Sequence, residues 1–160
     1  MTTDSSPRIE LRVLDRRLEE WGLPRYHSEM AAAVDLHACL DATLMLAPGS
    51  RAELVRSGVA IHIGDANIAA VILPRSGLGH RQGLVVGNLL GLIDADYQGE
   101  LMVSLWNRNA PGTEPIRIEP GDRIAQMMFV PVVRPTFQVV EEFSHASARQ
   151  AGGFGSTGLG

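Results

Sequence analysis

The chain has 160 residues, enough for one domain with a proper hydrophobic core but too few for two such cores. Hydrophobic residues make up 45% and charged residues 20%, which is typical of a folded globular protein and excludes a disordered chain. The formal net charge of −4 argues against a nucleic-acid partner, which needs a basic face. No apolar run approaches the roughly 18 residues that span a bilayer, and no signal-peptide pattern is visible, so we expect no membrane association.

Residue usage narrows the chemistry further. All 14 basic residues are Arg, which excludes Lys nucleophiles, Lys Schiff bases and the Lys of a P-loop. Phosphate recognition must therefore use Arg and backbone N–H groups, and the planar guanidinium can bind two phosphate oxygens at once. The single cysteine, Cys39, cannot form an intrachain disulfide, which favours a reducing compartment and predicts a cytoplasmic protein.

Short β-type segments separated by turn residues dominate the chain. Several of them alternate apolar and other side chains at period two, and Pro-Gly pairs recur between them as turn signals. In chain order, the predicted strands span residues 9–14, 34–38, 52–57, 59–63, 68–73, 101–106, 116–118, 124–131 and 137–140. This spacing predicts an all-β fold, a sandwich or barrel of the jelly-roll type.

Helices are few, and the C-terminal segment differs in kind from the rest. One or two helical turns are predicted at residues 15–21 and another at 78–82. Residues 1–143 are expected to form a single β domain, with residues 1–7 disordered. Residues 144–160 are small, polar and Gly-rich, so they cannot bury enough surface to stay ordered alone. They form either a terminus without function or a flexible arm that becomes ordered on a ligand.

Some motifs in this sequence are misleading. Residues 153–158 spell G-x-G-x-x-G, the dinucleotide-binding fingerprint, but that motif must open a helix and only two residues follow it here. The five His show no i,i+4 pair, and one Cys cannot supply a C-x-x-C site, so zinc is not expected. There is also no G-x-S-x-G nucleophile elbow.

A motif suited to binding phosphate follows the predicted strand at 68–73. Residues 74–79 read Pro-Arg-Ser-Gly-Leu-Gly, so a guanidinium, a hydroxyl and bare backbone N–H groups come together. Those are the parts of an anion-binding nest. Taken alone, the segment is also compatible with a plain turn whose Arg points at solvent.

The segment at residues 88–99 combines two carboxylates, Asp94 and Asp96, with Tyr97 between apolar residues. A carboxylate in this position could serve as a general base for water, and the Tyr ring could carry a sugar or a base. The alternative is an ordinary hairpin turn, where Asp is common because it hydrogen-bonds the backbone.

Two further segments carry groups suited to a ligand. Residues 120–126 form a turn that enters a strand and project Arg123 and Gln126. In the C-terminal segment, Arg149 is the side chain able to bind a charged group, and Phe154 is the one able to stack on a planar group. Each segment is also compatible with a surface or terminal role.

In this order and together, these segments strongly resemble the trimeric dUTPase family (dUTP nucleotidohydrolases, bacterial type). The resemblance runs from about residue 9 to residue 158, nearly the whole chain, and includes five motifs. They are Ala-Ala-Val-Asp-Leu-His-Ala at 32–38, Pro-Arg-Ser-Gly-Leu-Gly at 74–79, Gly-Leu-Ile-Asp-Ala-Asp-Tyr-Gln-Gly-Glu at 91–100, Gly-Asp-Arg-Ile-Ala-Gln at 121–126, and the arm from Arg149 through Gly-Phe-Gly-Ser-Thr-Gly at 153–158. Two positions depart from the family pattern, with Ala33 and Gln150 where the family usually has Gly, but no chemical group is lost.

The resemblance implies hydrolysis of dUTP to dUMP and pyrophosphate. Asp94 would activate the water that attacks the α-phosphorus, and Mg²⁺ would be bound mainly by the three phosphates. Asp35 would either contact the water shell of the metal or have a structural role. No direct protein ligand to the metal is expected. The phosphate-binding and supporting residues implied are Arg75, Ser76, Gly77, Arg123 and Gln126.

The resemblance also implies how the rest of the substrate is held. Asn88 and the backbone around Leu92 and Ile93 would read the uracil edge, while Tyr97 and Met102 would wall off the position of a 2′-hydroxyl. The family is a homotrimer with active sites shared between chains, and the arm would close over each site. The arm residues implied are Arg149, Phe154, Gly155 and Ser156.

Two alternatives stay open on sequence alone. A dCTP deaminase has the same family fold, although the hairpin from Asp94 to Tyr97 and the Gly-Phe-Gly-Ser-Thr arm favour hydrolysis. A non-catalytic trimer that binds dUTP as a regulatory signal is the second alternative, and the presence of Asp94 argues against it.

Overall fold

The computed structural model describes residues 6–145. In that range, the elements follow the order β1 (Glu10–Val13), α1 (Leu18–Trp21), β2 (Val34–His37), β3 (Leu44–Leu46), β4 (Glu53–His62), β5 (Ile68–Pro74), α2 (Ser76–Arg81), β6 (Leu84–Val86), β7 (Gly91–Ile93), β8 (Glu100–Asn107), β9 (Ile116–Ile118) and β10 (Arg123–Pro131). Neither of these two short helices has the length and apolar character needed to cross a membrane.

The strands form two four-stranded antiparallel sheets, with strand orders β1-β4-β8-β6 and β2-β10-β5-β7. Strands β3 and β9 add a two-stranded ribbon. On β8, alternate side chains are buried, as expected for a strand with one face on the core. A single hydrophobic cluster joins both sheets, and its largest fully buried side chains are Leu18, Leu36, Leu46, Ile72, Leu101, Leu105, Ile118 and Met127. The prediction of an all-β, jelly-roll-like fold is confirmed.

The prediction of two separate strands in the region of β4 is wrong. The sequence predicts two strands, at 52–57 and 59–63, but the chain continues through Gly58 as one strand. The pairing with β8 shifts register between Arg56 and Ala60, and Gly58 adopts φ +73° there. A Cβ on this residue would lie 2.5 Å from Sγ of Cys39, so only glycine fits this irregularity.

Other predicted boundaries also change. The strand predicted at 137–140 is wrong: this segment has no regular secondary structure, and Phe137 and Val139 are 88% and 97% exposed. Its β-branched and aromatic residues favour a strand, but no neighbouring strand lies beside it within residues 6–145. The three-residue strands β3, β6 and β7 were not predicted, although the equally short β9 was.

Candidate active site

Strand β10 brings three of the sequence motifs together. It lies between β2 and β5, and its Gln126 is opposite Asp35 on one side and Leu73 on the other. Arg75 follows β5 immediately, and Arg123 begins β10. Because neighbouring strands are about 4.8 Å apart, side chains at this end of three adjacent strands come within contact distance.

The turn from β5 into α2 forms a small polar pocket. Arg75 has an extended backbone (φ −78°, ψ 128°) and precedes α2, which begins with Ser76. The side-chain amide of Gln126 donates a hydrogen bond to the carbonyl oxygen of Pro74 at 2.9 Å, which fixes it beside this turn. The pocket has a volume of about 220 Å³, and its lining includes Asp35, Arg75, Ser76, Gly77, Arg81 and Gln126.

Asp35 connects the two arginines of this region. Its side chain is only 12% exposed, and Nε of Arg75 lies 3.0 Å from Oδ1. Nη1 of Arg123 donates to Oδ2 at 3.0 Å, and Nε2 of His27 lies 3.3 Å from the same oxygen. Nη1 of Arg75 also donates to the carbonyl oxygen of Arg123 at 3.2 Å. The carboxylate of Asp35 therefore orients the guanidinium of Arg75, although the two residues belong to different sequence motifs.

A second polar pocket, of about 380 Å³, is also lined by Asp35 and includes His27, His37 and Arg123 in its lining. His37 is buried, and its Nδ1 has no hydrogen-bond partner in the part of the chain described. Burial lowers the pKa of His37, although the charge of Asp35 opposes this effect. Burial therefore favours the neutral form of the His37 ring.

Asp94 follows β7 and begins a turn in which the N–H of Tyr97 donates to the Asp94 carbonyl oxygen at 3.2 Å. Its side chain is exposed. It borders a pocket of about 560 Å³ whose lining also includes His62, Asp96 and Arg134. A carboxylate that is open to solvent can hold and deprotonate a water molecule.

Tyr97 is held close to its own turn. Its hydroxyl donates to the carbonyl oxygen of Glu100 at 3.0 Å, and a Cβ on Gly99 would lie 2.4 Å from that hydroxyl oxygen. Tyr97 remains 42% exposed, and Met102 on β8 is 37% exposed. Gly99 therefore permits the position that the Tyr97 ring adopts.

Asn88 is exposed and begins a tight turn that ends at Leu90. The N–H of Leu90 donates to the carbonyl oxygen of Asn88 at 2.7 Å, and Leu89 between them has φ +66°. This is a strained γ-turn, which no sequence signal indicated. Leu92 and Ile93 follow on β7, which pairs with β5.

The predicted site residues thus fall into two groups on one chain. The pocket that contains Arg75 and the pocket that contains Asp94 share no lining residue. The arm residues of the sequence prediction lie outside the described residues; they are Arg149, Phe154, Gly155 and Ser156. Sequence reasoning did not select His27, because a single His without a nearby partner in the sequence gives no signal.

Comparisons with known proteins identify the relatives of this fold and site. The family model of dUTPase matches residues 19–158. A deoxyuridine 5′-triphosphate nucleotidohydrolase from Methylococcus capsulatus is 58% identical over 153 residues, covering 95% of this chain and 98% of that protein. The corresponding protein from Bordetella pertussis is 55% identical over 152 residues, covering 95% and 98%.

Solved structures give the same result. A G164S mutant of the dUTPase of Staphylococcus bacteriophage 80alpha, determined with dUpNHpp, matches with a TM-score of 0.82 and 26% identity, covering 96% of this chain and all of that one. The sequence match, the fold and the arrangement of the motifs agree with one another. This chain belongs to the dUTPase family.

Proposed function

We propose that this protein hydrolyses dUTP to dUMP and pyrophosphate, which removes dUTP from the nucleotide pool and supplies dUMP for thymidylate synthesis. The observation that carries the proposal is the pocket at the turn between β5 and α2. Arg75, Ser76 and Gln126 line one small polar cavity, and Asp35 orients the guanidinium. These groups suit phosphate oxygens, and the relatives named for dUTP hydrolysis match this chain almost from end to end.

We assign Asp94 as the general base. Its exposed carboxylate can take a proton from a water molecule held beside it. The water oxygen then bonds to the α-phosphorus while the bond from that phosphorus to the bridging oxygen breaks, so pyrophosphate leaves with the electron pair. Groups that hold the phosphate oxygens stabilise the charge that develops there. In this proposal they are Arg75, Ser76, Gly77 and Gln126, with Arg123 in support.

The nucleoside would be held by the segment around β7. Asn88 and the backbone of Leu92 and Ile93 offer hydrogen-bonding groups for the uracil edge. The Tyr97 ring would lie under the deoxyribose, with Met102 along the same wall, leaving no room for a 2′-hydroxyl. The contact between Tyr97 and the Glu100 carbonyl supports this role, because a fixed ring excludes an extra atom better than a mobile one.

We propose Mg²⁺ as the divalent cation of the reaction. Within residues 6–145, no three His, Cys, Asp or Glu side chains are grouped so that they could hold a metal ion. In nucleotide enzymes Mg²⁺ is usually bound by the substrate phosphates and water, and in this proposal Asp35 reaches only its water shell. When bound, it would neutralise charge on the phosphates.

We further propose a homotrimer in which neighbouring chains complete each site. The pocket with Asp94 and the pocket with Arg75 have no residue in common, so a substrate that needs both groups can obtain them from two copies. The segment after β10 also exposes apolar side chains, which favours association with another chain. They include Val133, Phe137, Val139 and Phe143.

The arm, residues 144–160, would then close over the substrate. Arg149 carries the charge suited to the terminal phosphate, and Phe154 can stack on the base. Gly155 and Ser156 would supply backbone and hydroxyl groups near the phosphates. Closure of this kind excludes water and strengthens the charge interactions inside the site.

The cytoplasm is the compartment we propose for this reaction. Cys39 is a buried free thiol, which is compatible with a reducing environment.

Release of pyrophosphate from dUTP, dCTP, dTTP and UTP, each with and without Mg²⁺, tests the proposed function. We expect rapid release from dUTP, much slower release from the other three, and a strong dependence on Mg²⁺. Ammonia release from dCTP would instead support the deaminase alternative. Tight dUTP binding without turnover would support a regulatory trimer.

A further inference from the structure

The loop between α1 and β2 lies against the carboxylate that holds the phosphate-binding arginines. His27 is in this loop, and its Nε2 lies 3.3 Å from Oδ2 of Asp35. The His27 side chain is 46% exposed, whereas that of Asp35 is only 12% exposed. The contact therefore connects a surface loop to a nearly buried group.

The two oxygens of Asp35 have different partners. Oδ1 faces Nε of Arg75, and Oδ2 faces both Nη1 of Arg123 and Nε2 of His27. Arg75 also uses Nη1 for the carbonyl oxygen of Arg123, so in the described part of the chain its Nη2 has no hydrogen-bond partner and stays available for a phosphate oxygen. The direction of Nη2 depends on the position of the Asp35 carboxylate, because that carboxylate contacts Nε of the same rigid, planar guanidinium.

We propose that His27 is a positioning residue for phosphate binding, which acts by holding Oδ2 of Asp35 and thereby the orientation of Arg75. This inference rests on the proposed function. Within the loop at residues 23–33, His27 is the residue whose side chain makes a polar contact with another part of residues 6–145. It lines the 380 Å³ pocket and not the 220 Å³ pocket that contains Arg75, so it contacts Asp35 without lining the proposed phosphate pocket.

The test compares His27→Leu and His27→Gln in the full-length protein with Mg²⁺. Leu has a similar size but no N–H, whereas the amide of Gln can place an N–H near the position of Nε2. Glu29→Gln, an exposed change in the same loop, is the matched control. The measurements are kcat and KM for pyrophosphate release from dUTP, the Kd of the slowly hydrolysed analogue dUpNHpp, and the Ki of deoxyuridine, which has no phosphate.

For His27→Leu we expect KM and the Kd of dUpNHpp to rise about fivefold, the size of a half-exposed polar contact to a charged group. The Ki of deoxyuridine should stay within twofold, and His27→Gln should restore most of the affinity. Unchanged affinity for dUpNHpp in His27→Leu would overturn the proposal, and so would a His27→Gln variant no better than His27→Leu. An equal loss of deoxyuridine binding would also overturn it, because that loss indicates general damage. If the parent protein releases no pyrophosphate from dUTP, the proposed function itself fails, whatever the His27 variants bind.

Discussion

Asp94 is an exposed carboxylate three residues before the exposed Tyr97, and its local structure alone does not distinguish it from Asp96. The substitution Asp94→Asn keeps the shape of the side chain but removes its ability to accept a proton from water. We expect kcat to fall by about 10² to 10⁴ while the Kd of dUpNHpp changes little. Single-turnover kinetics and calorimetric binding check the two parts separately. Near-normal turnover would mean that another residue is the general base, and Asp96→Asn is the variant to examine next.

Gly99 supplies a second prediction at the scale of one residue. A methyl group there would lie 2.4 Å from the Tyr97 hydroxyl oxygen and 2.7 Å from its Cζ, so Gly99→Ala should displace the ring without unfolding the hairpin. If the ring excludes a 2′-hydroxyl, the ratio of kcat/KM for dUTP to that for UTP should fall about tenfold. Tyr97→Phe, which keeps the ring and loses only the hydrogen bond to Glu100, is the control and should change the ratio much less. An unchanged ratio in Gly99→Ala would mean that another group reads the sugar.

At the scale of elements, the irregularity in β4 depends on Gly58. A Cβ there would meet Sγ of Cys39 at 2.5 Å, Cβ of Asp15 at 2.8 Å and Cδ1 of Leu18 at 2.9 Å, and the backbone has φ +73°. We expect Gly58→Ala to lower the free energy of unfolding by about 2 to 5 kcal/mol, the sum of backbone strain and overpacking. Urea unfolding at fixed protomer concentration measures this value.

The control for this prediction is Gly64→Ala. Gly64 has a similar φ of +69°, but the nearest heavy atom to its Cβ would be 3.5 Å away. Gly64→Ala should lower the free energy of unfolding by the contribution of backbone strain alone, about 1 to 2 kcal/mol. An equal loss in the free energy of unfolding for the two variants would contradict the packing argument at Gly58.

The turn that leads into α1 is fixed by an ion pair. Asp15 accepts hydrogen bonds from Nε and Nη2 of Arg17 at 2.9 and 2.6 Å, and these bonds lower the pKa of Asp15 from 3.8 to about 2. Arg17 in turn donates to the carbonyl oxygen of Leu40 at 2.7 Å, which ties α1 to the segment before β3. The pair therefore stabilises the contact between two elements.

Because the pKa of Asp15 is lower in the folded state, its contribution to stability is full above the unfolded value and is lost as pH falls toward about 2. Asp15→Asn should therefore lower the free energy of unfolding by about 1 to 2 kcal/mol at pH 7. The difference from the parent protein should shrink between pH 4 and pH 2. Urea unfolding across this range checks the prediction, and a difference independent of pH would contradict it.

At the scale of the whole molecule, one chain separates the groups that the proposed reaction needs. Two defective proteins test whether different chains complete a site: Asp94→Asn with an intact arm, and a truncation after Ser144 with an intact Asp94. Mixed under conditions that allow subunits to exchange, they should show pyrophosphate release above the sum of the two preparations. The reason is that some sites then combine a functional Asp94 from one chain with an arm from another.

Mixing each protein with itself under the same exchange conditions is the control. Activity of the mixture no higher than the sum would mean that the base and the arm belong to one chain. That result would remove the shared-site model and leave dUTP hydrolysis untouched.

The sequence by itself determined the fold class and the family of this protein. Period-two alternation and Pro-Gly turns are local signals, so the longer strands β5, β8 and β10 could be predicted from residues near one another in the chain. Short motifs such as residues 74–79 and 91–100 likewise carry their chemistry in adjacent residues. For the same reason the strand predicted at 137–140 was wrong, since a local preference for extended structure does not supply a neighbouring strand.

Only the tertiary structure decided which groups meet. Asp35, Arg75 and Arg123 come from three motifs, and β10 places them together because it pairs with β2 and β5 at once. The contact of His27 with Asp35 has no sequence signal, because it depends on where the loop before β2 packs. The separation of Asp94 from Arg75 on one chain follows from the antiparallel pairing of β7 with β5, which puts Ile93 opposite Ala70, near the end of β5 that lies away from Arg75. Residues distant in sequence set this register, and local patterns do not encode it.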